Sequence, residues 1–405
     1  MMTNLLYGRS RRGGAVIDSD SGRQSKRKKI VLLALGFFFM FGYSNVSYLL
    51  PIYYANAGFT QAQSGLLVSA FYFATLIFRL LLGNLLVRSG FKRLFAIGGV
   101  LTVAASLWIV FAGNSFVCAF AARFMLGAGT AFSQIALATY QSLAFDEKER
   151  GFAFSLIMAG GLAPMMTVVP LADWLLSHGH FTSYILIPMS LAAAMALLTV
   201  FVLKTEDVAL ETPKNNGNIF KGIADCFKIP GLSLALFSMF LFSLTDAASA
   251  FMASMTSSYG LMASYFLSTN AVIGVAVRLF FGKVLDRYPR KKLSVPIIAG
   301  MSLMLLFASI HPSRASLMAL GLLFGVGMGF GFPLHLALVS DNAPKRVQPQ
   351  AIALMWFFTA LDFALVPLAT SYISAFTTPV VGFRAVVLFV LAGAAFAQYK
   401  WRRLA

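Results

Sequence analysis

The chain has 405 residues, of which 59% are hydrophobic and 11% are charged, and its mean hydropathy is +0.79. Soluble globular proteins carry about 25% charged residues, so this composition excludes a water-soluble globule. The net charge of +18 comes from basic clusters between apolar stretches. These clusters lack nucleic-acid-binding motifs, so we expect no nucleic-acid partner.

Twelve stretches are long and apolar enough to cross a membrane, which takes about 20 residues of α-helix. Because they are long and do not alternate between apolar and polar residues, they favour helices over the strands of a membrane barrel. We therefore predict an all-α membrane protein with twelve transmembrane helices. The predicted spans are 30–54, 63–87, 94–112, 116–142, 152–175, 182–203, 232–256, 264–285, 293–310, 315–339, 350–373 and 380–399.

The basic residues predict the orientation of these spans. With the N-terminus in the cytoplasm, nearly all Lys and Arg residues fall in cytoplasmic segments, as the positive-inside rule requires. The exceptions are Arg79, Arg123, Arg278, Arg314 and Arg384, of which only Arg314 falls clearly in an outer loop. We expect a multi-pass protein of the cytoplasmic (inner) membrane with both termini in the cytoplasm.

Polar segments divide the chain into five parts. Residues 1–29 form a polar and basic tail, which we interpret as a disordered anchor on anionic headgroups or, alternatively, as a regulatory segment. Residues 30–203 and 232–399 are the two predicted six-helix halves. Residues 204–231 form a predicted cytoplasmic linker, and residues 400–405 form a short basic tail.

Three short segments recur in order on the two sides of the linker, at an offset of about 198 residues that spans six helices. The pairs are Phe78–Arg93 with Val277–Lys292, Leu126–Phe132 with Phe324–Phe330, and Val169–Ala172 with Val366–Ala369. The repeat predicts two pseudo-symmetric halves in parallel arrangement.

The segment after the second span reads GNLLVRSGFKR from Gly83 to Arg93, and its repeat after the eighth span reads GKVLDRYPRKK from Gly282 to Lys292. Both resemble the loop signature of the major facilitator superfamily, which implies a cytoplasmic gating role. The implied gating residues are Gly83, Arg88, Arg93, Gly282, Asp286 and Arg287. A small residue lets two helices approach closely, and an acid at a helix end forms a breakable latch with bases. Val87 replaces the acid in the first copy, so these residues are alternatively only topology determinants.

Two further elements resemble this family. The segment RFMLGAG from Arg123 to Gly129 is similar to an element whose arginine the family associates with proton coupling; structural anchoring is the alternative. The segment AGGLAP from Ala159 to Pro164 partly resembles an element of drug–proton exporters. Close packing and a helix kink are the simpler interpretation of Gly160, Gly161 and Pro164.

Three aspartates lie inside predicted spans. Asp246 and Asp362 fall near the membrane midplane, where a charged carboxylate is costly unless it is paired, protonated or facing water. Each is a candidate for proton coupling or substrate contact, with structural hydrogen bonding as the alternative. Asp173 lies near the outer end of its span, where we expect an interfacial role.

The family resemblance implies that the first, fourth, seventh and tenth helices line a central cavity. Tyr43, Asn45, Tyr48 and Gln134, together with Asp246, are then the best lining candidates. For each of them, an interhelical hydrogen bond is the alternative.

Taken together, these features predict a proton-coupled secondary transporter of a small organic molecule that works by alternating access. Asp246 or Asp362 would carry the proton, with Arg123 as a charge partner, and export is slightly favoured. The alternatives are an importer of an organic anion or metabolite, and a receptor or scaffold with a transporter fold. Scattered histidines, two isolated cysteines and the absence of a GxxxxGK[ST] loop argue against an enzyme, a metal site, a cofactor and ATP driving. We expect a monomer whose partners are substrate, protons and membrane lipids.

Overall fold

The computed structural model describes most of the chain as α-helix, and its described residues contain no β-strand. The described residues are 11–89, 91–111, 115–143, 157, 160–202, 224–281, 288–344 and 347–404. For residues 11–26, 80–89, 91–92, 110, 138–143, 199–202, 349 and 404, the description covers the backbone alone.

In its described residues, the N-terminal half contains seven helices that can be given bounds and one short 3₁₀ turn, Val46–Leu49. The helices are α1 (Arg11–Asn45), α2 (Leu50–Asn56), α3 (Gln61–Ser89), α4 (Phe91–Phe111), α5 (Phe116–Leu143), α6 (Val168–Ser177) and α7 (Phe181–Val202). Residues 160–166 are helical and precede α6. Helix α1 begins within the segment predicted as a polar tail.

The C-terminal half follows the predicted linker, of which residues 224–227 are helical. Its helices are α8 (Pro230–Ala250), α9 (Ala253–Ser257), α10 (Ser264–Phe281), α11 (Arg290–Ile310), α12 (Arg314–Asn342), α13 (Gln348–Phe376) and α14 (Pro379–Leu404). Each of the twelve predicted spans contains described helix, which confirms the all-α membrane architecture. Within the described ranges, ten helical segments are long and apolar enough to cross a membrane, and a shorter apolar helix covers Arg93–Ile109.

The first predicted span of each half is divided into separate helices. The span 30–54 is divided among α1, the 3₁₀ turn and α2, and Pro51 lies in the first turn of α2. Proline lacks the backbone N–H that a continuous helix needs, so it starts a new helix readily and interrupts an existing one. The corresponding span 232–256 is also interrupted, because Phe251 and Met252 separate α8 from α9.

The two halves repeat the same helix packing. Helix α3 packs on α5 and α4 packs on α7, and in the second half α10 packs on α12 and α11 packs on α14. Contacts between the halves come from α3 with α13, from α6 with α10, and from α9 with α2. The repeated packing confirms two pseudo-symmetric halves, and the few helices between them form the interface on which any central site must lie.

Two repeat-related glycines explain why one recurring segment is rich in small residues. A Cβ atom at Gly127 of α5 would collide with the carbonyl oxygen of Phe71 on α3. A Cβ atom at Gly325 of α12 would lie 2.7 Å from the carbonyl oxygen of Asn270 on α10. Membrane helices associate through such close backbone approach, because lipid provides no hydrophobic driving force between them. The repeated segment therefore sets the same helix contact in each half.

Candidate functional site

Asp362 lies at the middle of the 29-residue helix α13 and is fully buried. Within the described part of the chain, neither oxygen of its carboxyl group forms a hydrogen bond. The hydroxyl of Ser243 on α8 is its neighbouring polar group but does not reach hydrogen-bonding geometry. A buried carboxylate without partners is costly in its charged form, so this environment suits the protonated, neutral form.

Asp246 lies on α8, one turn after Ser243, and is half-buried. It falls within about 4 Å of the middle of the helical segment Pro230–Ser257. Arg278 of α10 lies close enough to act electrostatically on this carboxyl group, although the two side chains form no salt bridge. Arg278 also donates from Nη2 to the carbonyl oxygen of Met328 on α12, at 3.3 Å. The two midplane aspartates therefore differ. Asp246 on α8 lies near a cation on α10, whereas Asp362 has no partner among the described residues.

Four aromatic rings from both halves meet beside these aspartates. Tyr48 and Tyr72 come from the N-terminal half, and Phe251 and Phe363 come from the C-terminal half. Each tyrosine ring contacts both phenylalanine rings, with centroid separations from 5.2 to 6.2 Å, and the two phenylalanines are 6.0 Å apart. We call these four residues the aromatic plug. Only Tyr48 was predicted from the sequence; the other three carry no local signal and are recognised only by their contacts.

Arg123 is buried near the outer end of α5 and is held by polar and aromatic groups of other helices. Its Nη1 donates to the hydroxyl of Ser47 at 3.0 Å, and its Nε donates to the carbonyl oxygen of Leu67 at 3.4 Å. Its guanidinium group lies over the ring of Phe71, 4.9 Å from the centroid. Its Nη2 is buried without a hydrogen-bond partner in the described residues. No described carboxylate pairs with Arg123, so the structure does not bring it together with Asp246 or Asp362.

The remaining cavity-lining candidates lie in contacts between helices. Tyr43 is fully buried, and its hydroxyl accepts a hydrogen bond from Thr130 on α5 at 3.5 Å. Gln134 is half-buried, and its side-chain oxygen accepts a hydrogen bond from Arg79 on α3. Asn45 is buried at the end of α1. In this conformation, Tyr43 and Gln134 form the interhelical hydrogen bonds that we expected as the alternative to lining a cavity.

Three of the six predicted gating residues lie in the described part of the chain. Gly83 and Arg88 lie on the last turns of α3, where the backbone alone is described, and Arg93 is exposed near the start of α4. Gly282, Asp286 and Arg287 lie outside the described residues. The gating role of these six residues stays a prediction.

The same repeated loop segment contributes one ion pair that the sequence did not indicate. Arg290 at the start of α11 contacts the carboxylate of Asp341 near the end of α12, at 2.6 Å. This pair joins two helices of the C-terminal half at the end of the bundle predicted to face the cytoplasm.

A second inter-half contact lies near the predicted outer ends of α6 and α10. A carboxyl oxygen of Asp173 accepts a hydrogen bond from the backbone N–H of Ser264, the first residue of α10, at 2.7 Å. The hydroxyl of Ser268 donates to the carbonyl oxygen of Met165 at 3.0 Å. Unpaired N–H groups and the helix dipole make a helix N-terminus favourable for a carboxylate. Asp173, expected to be interfacial, thus caps a helix of the opposite half.

His335 of α12 is a packing residue in this arrangement. Its Nδ1–H donates to the carbonyl oxygen of Gly331 at 2.8 Å, and its Nε2 forms a hydrogen bond of 2.9 Å with the hydroxyl of Ser294. A carbonyl oxygen only accepts, so the Nδ1 nitrogen carries a proton. The ring also stacks on Phe242, with centroids 4.8 Å apart. Among the described residues, no group of three or more His, Cys, Asp or Glu side chains could hold a metal ion.

A sequence profile of the Major Facilitator Superfamily matches residues 32–361 and, in a second match, residues 232–403. No curated protein sequence matches the chain. Several solved structures share the fold at low identity. A structure of the nucleoside transporter NupG is 16% identical, covers 93% of this chain and 99% of its own, and has a TM-score of 0.76.

Two further structures agree. The Escherichia coli fucose:proton symporter FucP is 17% identical over 92% of this chain and 98% of its own, with a TM-score of 0.62. A POT family transporter in complex with 5-aminolevulinic acid is 10% identical over 94% and 97%, with a TM-score of 0.75. The profile spans both repeated halves, and the fold is that of transporters rather than enzymes. The chain therefore belongs to the Major Facilitator Superfamily.

Proposed function

We propose that this transporter is a proton-coupled carrier of a small organic molecule, working by alternating access across the cytoplasmic membrane. The observation that carries the proposal is Asp362, which is buried at the middle of α13 with both carboxyl oxygens unpartnered. Such a group is stable when protonated and needs water or a cation when it loses the proton. A proton site of this kind ties its protonation to whether the cavity around it is open.

The two midplane aspartates take different roles in this proposal. Asp362 carries the proton, because it has no neighbouring cation to stabilise its charged form. Asp246, half-buried and facing Arg278, contacts the substrate and exchanges its interaction with Arg278 for an interaction with the substrate. Arg123 holds Ser47 and the backbone of α3 in place near the aromatic plug rather than pairing with either aspartate.

The structure corresponds, in this proposal, to a conformation closed on the outer side. The aromatic plug joins the two halves, and Asp173 caps α10 across the interface. A Cβ atom at Gly65 of α3 would lie 2.8 Å from the carbonyl oxygen of Pro367 on α13, so these two helices also touch there. Rocking the halves toward the outward-open state requires all three contacts to separate.

The slight preference for export depends on the partial resemblance of the AGGLAP element to drug–proton exporters. In the structure, the two glycines of this element have a packing role. A Cβ atom at Gly160 would lie 2.7 Å from the carbonyl oxygen of Ala34, and one at Gly161 would lie 2.9 Å from the ring of Phe41. Close packing against α1 therefore accounts for both glycines without an export function. One of the fold neighbours is the fucose:proton symporter FucP, which supports proton coupling as a mechanism available to this fold.

The test is a comparison of small molecules in the medium and cytosol of cells that express the wild type, Asp362→Asn, or no transporter. A compound that gathers in the medium only with the wild type identifies an exporter and its cargo. A compound depleted from the medium and held inside identifies an importer. A protonophore should abolish either difference. No difference under any growth condition supports the receptor or scaffold alternative.

A further inference from the structure

A groove on the C-terminal half lies between α8, α13 and α14, away from the midplane aspartates. Its volume is about 690 Å³, and five of its ten lining residues are phenylalanines. The main packing partners of α14 all belong to the C-terminal half, so this helix is peripheral to the interface between the halves. Phe396 on α14 lines the groove and is half exposed, which places the groove on the lipid-facing surface.

The walls of the groove are built from stacked phenylalanines. Phe396 meets Phe237 edge to face at 5.9 Å, and Phe237 stacks on Phe240 at 6.5 Å. Phe240 in turn meets Phe358 of α13 at 5.8 Å. Rings held by their neighbours lose little freedom when a flexible chain lies against them, so this lining is preorganised for an apolar guest.

The groove has the depth of one membrane leaflet. It runs along α8 from Pro230 at the start of the helix to Phe240, a distance of about 15 Å. Half of the hydrocarbon core of a bilayer is also about 15 Å thick. An acyl chain that enters from the membrane surface would therefore fill the groove along its length.

Two basic side chains stand at the mouth of this groove. Lys400 and Arg403 line it near the end of α14, where α8 begins and where Ser233 offers a hydroxyl group. Lys400 lies over the ring of Phe396 at 5.5 Å, and Arg403 lies over the ring of Tyr399 at 4.4 Å. Neither forms a salt bridge with a described acidic side chain. The apolar walls and the unneutralised cations at one end match a molecule with an acyl chain and an anionic head.

We propose that this groove binds an anionic phospholipid of the leaflet predicted to face the cytoplasm, with its phosphate between Lys400 and Arg403 and one acyl chain along the phenylalanines. Basic pockets between membrane helices on this side of the bilayer are suited to anionic headgroups. The site does not depend on the proposed coupling role of Asp362.

Native mass spectrometry of the delipidated full-length chain tests the proposal by titration with phosphatidylglycerol or with phosphatidylcholine of the same acyl chains. The wild type should bind phosphatidylglycerol about 30-fold more tightly, because each of two cations contributes about fivefold. The double variant Lys400→Gln/Arg403→Gln should lose this preference. The control Lys292→Gln/Arg402→Gln removes the same charge from exposed positions that do not line the groove, and it should keep the preference.

Three results would overturn the proposal. The first is equal binding of both lipids by the wild type, and the second is a loss of the preference in the control that is as full as in the groove variant. The third is a dimer mass without lipid, which would show that a second copy of the chain occupies the surface. If the groove variant does not fold, Ser233→Phe provides the test, because it fills the mouth without removing charge. It should reduce phosphatidylglycerol binding at least tenfold, and unchanged binding would contradict the proposal.

Discussion

At the scale of single residues, three aspartates within the membrane region show that the same type of side chain has different contacts at different positions. Asp362 has no hydrogen-bond partner among the described residues, Asp246 faces Arg278, and Asp173 caps α10. Hydropathy identifies all three as unusual, since a carboxylate in an apolar span is costly. Their partners come from other helices, so the sequence could not distinguish their roles.

Asp362→Asn should separate exchange from proton-driven transport. The amide has the shape of the protonated carboxyl group but cannot release a proton, so the carrier should still exchange substrate across a membrane. It should not accumulate substrate under a pH gradient. The measurement is counterflow and pH-driven uptake in proteoliposomes, with the substrate found by the small-molecule comparison.

Asp341→Asn is the matched control, because Asp341 is exposed and pairs with Arg290 at the end of the bundle. It should retain both activities. Full pH-driven accumulation by the Asp362→Asn protein would remove Asp362 from the coupling mechanism.

At the scale of helices, the repeated small-residue segment was the most informative pattern. The repeat predicted equivalent packing in both halves, and Gly127 and Gly325 lie at equivalent helix contacts. The breaks within two predicted spans were not predicted, because hydropathy measures apolar length and is insensitive to local backbone geometry. Pro51 is the one sequence signal that could have indicated the first break.

Gly127→Ala should destabilise the transporter by about 1–3 kcal/mol, the usual cost of forcing an extra group into a close-packed contact. The added methyl group collides with the backbone of α3, which cannot move without disturbing α5. Gly300→Ala is the control, since nothing lies within 4 Å of the added Cβ there. Alanine should be neutral or slightly stabilising at that helical position. Thermal unfolding of both variants in the same detergent gives the comparison, and equal melting temperatures would show that the close approach is not required.

At the scale of the whole molecule, we propose that a few contacts between the halves keep the outer side of the transporter closed. The aromatic plug lies beside the two midplane aspartates, and the Asp173 contact lies toward the ends of α6 and α10 that are predicted to face outward. Both are tertiary features: Asp173 and Ser264 are 91 residues apart in the chain. In the orientation that the positive-inside rule predicts, these contacts would form an outer gate.

Asp173→Ala should shift the population toward the outward-open conformation. The lost hydrogen bond involves a charged acceptor, worth about 1.5–3 kcal/mol, so the open population should rise about tenfold or more. The reporter is Ser371→Cys, at a buried position beside Gly65 in the contact between α3 and α13. Both native cysteines, Cys118 and Cys226, are replaced first.

Labelling of this cysteine by an impermeant maleimide from outside should accelerate in the Asp173→Ala background. It should stay slow in the Asp341→Ala background, because that change lies at the opposite end of the bundle. Equal labelling rates in all backgrounds would mean that Asp173 does not hold the outer side closed.

Protease-sensitive tags fused to the two termini test the orientation on which these assignments depend. Both tags should be cleaved only in inside-out membrane vesicles, because the basic segments predict that both chain ends lie in the cytoplasm. Cleavage of either tag in right-side-out vesicles would reverse the assignment of the closed side.

The sequence by itself determined the membrane class, the twelve spans, the two repeated halves and the family resemblance that the profile match confirmed. These properties follow from local apolar length, charge distribution and recurrence along the chain, all of which are readable without contacts. Only the tertiary structure decided the partners: Arg123 lies against Ser47 and Phe71 rather than a carboxylate, and Tyr48 meets Phe363 from the other half. Such pairings depend on the rotation and separation of helices that are distant in sequence, and the apolar composition of a span leaves both of these undetermined.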